Sequence, residues 1–384
     1  MKLPLLSFRP VYVIGIGFHR YQALSATPYV NLGLTAAREA LADSGLPWES
    51  IDSAFVATAL LPMASGRPML RHLGATGIPI VHIENASASG SAAFRAAVLD
   101  VASGVSDISM AIGVDKPDLV RQSARAEAIN GLDNLANDAI VPFTSFALRA
   151  EAYARSSRCE VSDIALVAVK NLRNAAKNPY AQRQKEQTLE EVLAGKPIAG
   201  IFTKLQCTPV GEGGAAVIVA SEEALKRISG PVRPVQVLSS AASSQRASGD
   251  PARHDVELTQ ATVKRALDQA SVSVRELDVL EFHDAFTIEE IEYLEAIGYC
   301  GAGHAIPMLK EGAFDIGGRA AVSPSGGLIG MGHPIGPTGI GQIGEIVRQL
   351  RHEAGERQQP QARLAMAHMV GLGAVCYAHV LRRP

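Results

Sequence analysis

The run VYVIGIG at 11–17 is short, apolar and rich in β-branched residues, which predicts a buried strand. Behind it, Leu34, Ala37 and Leu41 recur at helical spacing, Asn31 has the side chain of an N-cap, and Gly45 marks the stop. SAFVAT at 53–58 predicts the next strand. The most apolar late stretch, Leu364 to Leu381, is long enough to span a bilayer, but it holds His368, His379 and a Gly371-Leu372-Gly373 turn signal. It predicts two buried strands joined by a turn, and no membrane span.

The first of these units recurs. REALADSGLPWESID at 38–52 lines up without a gap against KRALDQASVSVRELD at 264–278, a constant offset of 226, with Leu41, Ile51 and Asp52 falling on Leu267, Leu277 and Asp278. Helix, turn, acidic residue and following strand repeat in order, so the chain is expected to consist of two duplicated β/α halves. A second correspondence pairs 82–114 with the segment from Gly332 through a helix near 338–351 and the strand LAMAHMV. Residues 116–205 have no later counterpart and contain charged, helix-rich stretches (LRAEAYARSSR, VAVKNLRNAAK, TLEEVLAGK), while GPVRPVQ at 230–236 punctuates the start of the second half. The expected organisation is an N-terminal half of 1–115 plus about 206–229, an inserted domain of 116–205, and a C-terminal half of 230–384.

Composition narrows the class. Across 384 residues, 47% are hydrophobic and 19% charged, with 36 Lys and Arg against 38 Asp and Glu. That balance argues against disorder and against a nucleic-acid partner. Cys159, Cys207, Cys300 and Cys376 lie far apart without metal-ligand spacing, so neither a disulfide framework nor a zinc site is expected. The opening MKLPLLSFRP lacks the apolar core of a secretory signal, and a reducing cytoplasm is the expected location.

Three segments combine permissive backbone with reactive side chains. Ser87, in ENASASGSAAF, precedes a helix whose first turn is built from small residues. A nucleophile there has its anionic form favoured by free N–H groups, although small residues also serve tight helix packing. His283, in EFHDAF, follows an apolar strand, where sites in α/β layers form. The alternative is a structural histidine with Asp284 as N-cap of the next helix. The third segment, 323–345, surrounds His333 with glycines and with Pro324, Pro334 and Pro337, a density that is costly unless the chain must turn tightly or lie against something.

Together these segments resemble the thiolase superfamily, in particular the sterol-carrier-protein type thiolases. The resemblance runs through ENASASGS, GVDK (113–116), VAVKNLRNAAKNPYA (167–181), CTPVGEGGAA (207–216), HDAF (283–286), SGGLIGMGHPIGPTG (325–339) and HMVGLGA (368–374), nearly the whole chain in order. It implies a five-layered αβαβα fold of duplicated halves with an inserted loop domain. It also implies an acyl-CoA or 3-oxoacyl-CoA thioester as substrate with no bound cofactor, a role in lipid metabolism, and a homodimer. By the same resemblance, His333 activates the nucleophile and His283 donates to the thioester or enolate oxygen. The Gly371 to Gly373 turn, with the Ser87 N–H, forms an oxyanion hole, and Ser325, Gly326, Met331, Phe286 and His368 fall at substrate-contacting positions. Arg173 and Lys177 give a weak hint of a CoA site, with solvated helix faces as the plainer reading.

The chain departs from the family where the chemistry is most exposed. Ser87 holds the position of the nucleophilic cysteine, and a hydroxyl is far harder to deprotonate than a thiol of reference pKa about 8.5. Sterol-carrier-protein type thiolases commonly have HDCF, against Ala285 here, and the second cysteine of conventional thiolases aligns with Ala367; Cys376 falls beyond that turn. Three readings follow: acyl transfer through Ser87 or cleavage by a retro-aldol or retro-Claisen route; a true thiolase with its cysteine replaced; or a non-catalytic acyl-CoA carrier. Retention of GHP around His333 weighs against the retro-aldol route. Relatives of this branch pair with a small subunit bearing a zinc ribbon and an OB-fold, so such a partner is expected.

Overall fold

The computed structural model describes residues 5–117, 141–244, 254–372 and 374–384. The first half supplies β1 (Val11–Gln22), β2 (Ser53–Ala57), β3 (Ile80–Ile83) and β4 (Ile108–Asp115). A two-stranded ribbon, β5 (Pro197–Ala199) and β6 (Phe202–Thr203), precedes β7 (Glu212–Ser221). The second half adds β8 (Val235–Ser244), β9 (Val279–Glu281), β10 (Ala321–Val322), β11 (Leu364–Gly371) and β12 (Val375–Arg382). Ten strands join in the order β10-β9-β11-β12-β8-β1-β7-β4-β2-β3. Outward from the centre, β7, β4, β2 and β3 beside β1 are mirrored by β12, β11, β9 and β10 beside β8. The two halves meet edge to edge through only two residue pairs, Tyr12 with Gln236 and Val13 with Val235.

The repeat seen in the sequence does the same physical work twice. The helices Tyr29–Ser44 and His254–Ala270 end at Gly45 and Ser271, both left-handed, at φ 70° and 55°. Asp52 accepts from the backbone N–H groups of Asp107 and Ile108 at 2.9 Å, and Asp278 accepts from Arg363 and Leu364 at 2.8 and 3.0 Å. In each half, one carboxylate thus satisfies the exposed start of the neighbouring parallel strand. The first helix begins at Tyr29, two residues before the expected cap: the fixed φ of Pro28 pre-forms the turn, and its carbonyl accepts from Asn31 and Leu32.

Three large apolar cores lie between five layers, with a small fourth cluster around Ala88 and Met369. Helix Tyr29–Ser44 packs on one face of the first half through Leu32, Ala36 and Ala40 against Ile14, Met110 and Ile218. The opposite face of that half and the inner face of the second enclose helices Ser89–Ser103 and Thr338–Arg351, through Phe94, Ala97, Ile340 and Ile343. Helices His254–Ala270 and Thr287–Ala296 cover the outer face of the second half. This is the duplicated α/β fold expected from the sequence. Part of the expected insertion, 118–140, lies outside the described residues. Its helices Val141–Ser157 and Leu166–Ala176 pack on the second half, burying Ala150, Tyr153 and Leu172 with Phe282 and Tyr293. The stretch 364–381 forms the antiparallel pair β11–β12, and no described helix is long and apolar enough to cross a membrane.

Candidate active site

The two inner helices carry the site at their N-termini. They touch almost backbone to backbone: a Cβ on Gly90 would lie 2.6 Å from the Gly336 carbonyl oxygen, and one on Gly339 would lie 2.6 Å from the Ser91 nitrogen. Only glycines permit that approach. It brings Ser87 to His333 across 246 positions of sequence, with Oγ 2.9 Å from Nε2. The other ring nitrogen, Nδ1, lies 2.8 Å from the hydroxyl of Thr338. For Nε2 to accept the serine proton, Nδ1 must carry hydrogen and donate it to Thr338. Burial, and then the charge of His283, push the His333 pKa well below its ordinary value, so the ring is a neutral acceptor at pH 7. Ser87 stands on a strained turn: Ala86 has φ 49°, and the Ser89 hydroxyl accepts from Asn85 N–H at 2.8 Å while donating to the Ala86 carbonyl at 2.6 Å.

His283 meets His333 edge to face, with ring centroids 5.4 Å apart. Its Nδ1 lies 3.0 Å from Oε1 of Glu289, and its Nε2 is buried with no partner. Nδ1 donates to the carboxylate, so Nε2 is the free edge of the ring at the site. Asp284 is not the cap of the following helix, which starts after Phe286. It turns inward instead, accepting from Leu328 N–H and from Asn171 Nδ2, both at 2.7 Å. Burial, followed by Glu290, raises its pKa well above the usual carboxylate range.

Other buried polar groups hold the loops. Asp115 of GVDK accepts from Thr58, Ala59, Leu60 and Gly336, tying the loop after His333 to the first half, with its pKa raised by burial. Asn174 and Asn178 donate to the carbonyls of Ser323 and Ser325. Ser325 is spent on Glu281, whose carboxyl it meets with both N–H and hydroxyl at 2.9 and 2.8 Å. Gly326, at φ 105°, packs on Ala175.

Several residues expected at the substrate have other positions. Phe286 is sealed by Phe143, Phe146 and Phe202, the nearest centroid at 4.5 Å. Met331 accepts weakly from Asn178 in the core. His368 is fully buried, bonded to Thr259 at 2.9 Å and flanked by Phe282 and Tyr293, with its pKa pushed down to about 3 by burial. All three side chains are buried in the core. Gly371 is at the site: a Cβ there would lie 2.7 Å from the Asn85 carbonyl oxygen and 3.1 Å from Cβ of Ala88. Gly373 lies outside the described residues. Arg173 is paired with Asp315 at 2.6 Å and Lys177 is exposed.

Residues 15–189 match the thiolase N-terminal domain family, and residues 239–382 match the family described as thiolase C-terminal domain-like. Over 376 residues, covering 95% of each chain, the sequence is 33% identical to the benzoylsuccinyl-CoA thiolase subunit BbsB of Thauera aromatica. The chain belongs to the thiolase family. It is also 31% identical to sterol carrier protein 2 of Homo sapiens, over 96% of this chain and 71% of that protein. The same identity links it to an acetyl-CoA acetyltransferase of Methanothermobacter thermautotrophicus, over 98% of this chain and all of that protein (31%, 100%). Among solved structures, the Ltp2-ChsH2(DUF35) aldolase has a TM-score of 0.80 at 22% identity, covering 97% of this chain and 98% of that one. Human mitochondrial 3-ketoacyl-CoA thiolase has a TM-score of 0.73 at 18% identity, covering 98% and 99%. These likenesses show the fold.

For a member of this family, the chain is unusual in placing no thiol beside Ser87 and His333 among the described residues. Ala285 offers none, and Ala367 is buried in the inner core. Met369, two residues further on the same face of β11, packs behind the Ser87 loop with Ala88. Burial pushes the thiols of Cys207, Cys300 and Cys376 up to about 12, and Cys376 belongs to the outer core. Thr338 and Glu289 are the partners the sequence reading missed. Glu289, six residues after His283, was within reach of a pattern argument, whereas Thr338 looks like an ordinary helix start.

Proposed function

We propose that this thiolase-family chain is an acyl-CoA C-acyltransferase that cleaves or forms 3-oxoacyl-CoA thioesters, with Ser87 as nucleophile, His333 as base and His283 as oxyanion donor. The Ser87–His333–Thr338 chain of hydrogen bonds carries the reading. In the cleavage direction, Ser87 Oγ adds to the C3 carbonyl carbon and its proton passes to His333 Nε2. The C2–C3 bond breaks, its electron pair becomes the enolate of the departing C1–C2 thioester of CoA, and the shortened acyl group stays as a serine ester. The enolate carbon takes the proton back from His333. The thiol of CoA, deprotonated by His333, then displaces the acyl group and Ser87 recovers its proton. One base closes the proton balance, which suits a site without a cysteine acid. With Nδ1 donating to Glu289, Nε2 donates only in the imidazolium form of His283, which the adjoining carboxylate favours; donors of that kind held toward developing negative charge supply stabilisation of the order of 3 kcal/mol each in comparable sites.

The absence of a thiol at Ala285 and Ala367 also favours a second reading. Here His333, through Ser87, takes the proton of a 3-hydroxyl, C3 becomes a free carbonyl, and the C2–C3 electron pair becomes the thioester enolate, which takes that proton back from His333; this retro-aldol route forms no acyl-enzyme, and a partner subunit completes the site.

Thiolytic cleavage of a panel of 3-oxoacyl-CoAs by the unmodified protein and by Ser87→Cys, with intact mass recorded, separates these. Turnover or an acyl adduct on the unmodified protein supports the nucleophile. Activity confined to Ser87→Cys marks a disabled thiolase scaffold. Silence from both, with CoA esters still bound, refutes acyl transfer and leaves the lyase or a carrier.

A further inference from the structure

Behind the His283–Glu289 pair runs a buried chain of polar groups that ends in the inserted region. Tyr293, fully buried, directs its hydroxyl at Glu289 Oε1 and at Asp255 Oδ2, 3.0 Å from each. Arg149, on helix Val141–Ser157, donates from Nη1 to the same Asp255 oxygen at 2.6 Å and pairs through Nη2 with Glu292. Burial works against the Arg149 cation, but the Glu292 and Asp255 carboxylates outweigh it and raise its pKa. Burial and the two carboxylates likewise raise the Tyr293 pKa well above its ordinary value, so its hydroxyl stays protonated.

A phenol has one proton, and two carboxylate oxygens compete for it. We infer that Arg149 is a positioning residue for the active site: by satisfying Asp255 it commits the Tyr293 proton to Glu289, and through Glu289 it fixes the ring of His283. Without the guanidinium, Asp255 is the buried anion most in need of a donor, and the hydroxyl turns to it. Glu289 Oε1 then keeps only His283, and the ring loses the alignment that aims Nε2 at the substrate. The insertion thereby holds a group that lies outside it. This inference rests on His283 serving as the oxyanion donor, and its test includes a readout independent of that role.

In the full-length chain, Arg149→Met is expected to lower kcat about tenfold, the scale of one misaligned hydrogen bond, with KM within about twofold. Arg149→Lys restores part of the loss. In protein labelled with 15N-histidine, the His283 Nδ1–H signal, assigned by its disappearance in His283→Asn, shifts in Arg149→Met. An unmoved signal in a folded Arg149→Met overturns the inference. If that variant does not fold, Tyr293→Phe removes the proton without disturbing the ion pairs; the same shift is expected, and its absence is equally decisive. Unchanged turnover in His283→Asn refutes the oxyanion role instead, and the signal alone then judges the coupling.

Discussion

Gly90→Ala puts the crossing of the two inner helices to the test. The added Cβ would face three backbone atoms, the Gly336 oxygen at 2.6 Å, the Ile340 nitrogen at 2.9 Å and the Gly339 nitrogen at 3.1 Å, where ordinary contact starts at 3.4 Å. No side chain can swing aside, so the helices must part by about 0.8 Å at the tightest point. Overpacking of this kind costs about 1–3 kcal/mol. The separation acts on the pair it positions: Ser87 Oγ and His333 Nε2 are 2.9 Å apart, and most of that displacement takes them beyond a good hydrogen bond. Misplacement of about 1 Å at a reacting centre costs roughly 10²-fold in rate. The expected variant is folded, destabilised by 1–3 kcal/mol in guanidinium unfolding (about, as above), and down about 100-fold in kcat/KM.

The control is Gly45→Ala. Gly45 has φ 70° with nothing within 4 Å of a Cβ, so alanine there meets backbone strain alone, about 1–2 kcal/mol. Its turnover should stay within about twofold of the unmodified protein. A Gly90→Ala variant with full turnover, or a Gly45→Ala variant equally impaired, would refute the claim that the helix crossing sets the Ser87–His333 geometry.

Thr338→Val leaves His333 Nδ1 without an acceptor and should lower kcat about tenfold, while Thr338→Ser retains most of it; equal rates for the two would remove Thr338 from the relay. His368 and His379 are both held to about 3 by burial, against 6.5 when unfolded, so the unfolded chain binds protons that the folded one refuses. Each therefore leaves stability untouched above pH 6.5 and subtracts up to about 1.4 kcal/mol per pH unit as pH falls toward 3, and the slope should flatten in His379→Gln compared with the unmodified protein. Glu281 has the opposite sign: burial and Glu345 raise it to about 8 from 4.5, so its contribution is complete below pH 4.5 and is lost as pH climbs through 8. In Glu281→Gln that alkaline loss should vanish from urea midpoints measured between pH 5 and pH 9 (roughly, bracketing the window), and an unchanged slope would show the carboxyl to be ionised in the fold.

What the sequence made legible is what repeats or alternates locally. Asp52 and Asp278 could be matched because each sits at a fixed distance from its own helix stop, Gly45 or Ser271, and both tie a neighbouring strand. The β11–β12 pair was legible because a glycine turn and two histidines interrupt an otherwise apolar run. The Ser87–His333 contact was legible only through the family motifs, since nothing local joins residues 246 apart. The Arg149 chain had no signal at all, because it depends on how an insertion without a counterpart lies across the second half. That Phe286, Met331 and His368 pack into the core was not legible for a related reason: a motif names the neighbourhood of a site, but the local backbone decides which way each side chain faces.

The duplication is preserved in the scaffold and broken in the chemistry. Helices Ser89–Ser103 and Thr338–Arg351 follow matching turns in the two halves, yet one turn delivers a serine and the other a histidine. Their crossing at Gly90 and Gly339 sets two helix N-termini close together, so the positive ends of two dipoles converge. That field opposes a proton on His333, in the same direction as its burial and His283. It also favours negative charge developing on Ser87 or on a bound carbonyl oxygen. A weakly acidic hydroxyl beside a weakly basic ring is a poor nucleophile in water. Here the two helices stabilise the anion more than they stabilise the cation, so proton transfer is best coupled to attack on carbon, when the charge moves from Oγ to the carbonyl oxygen.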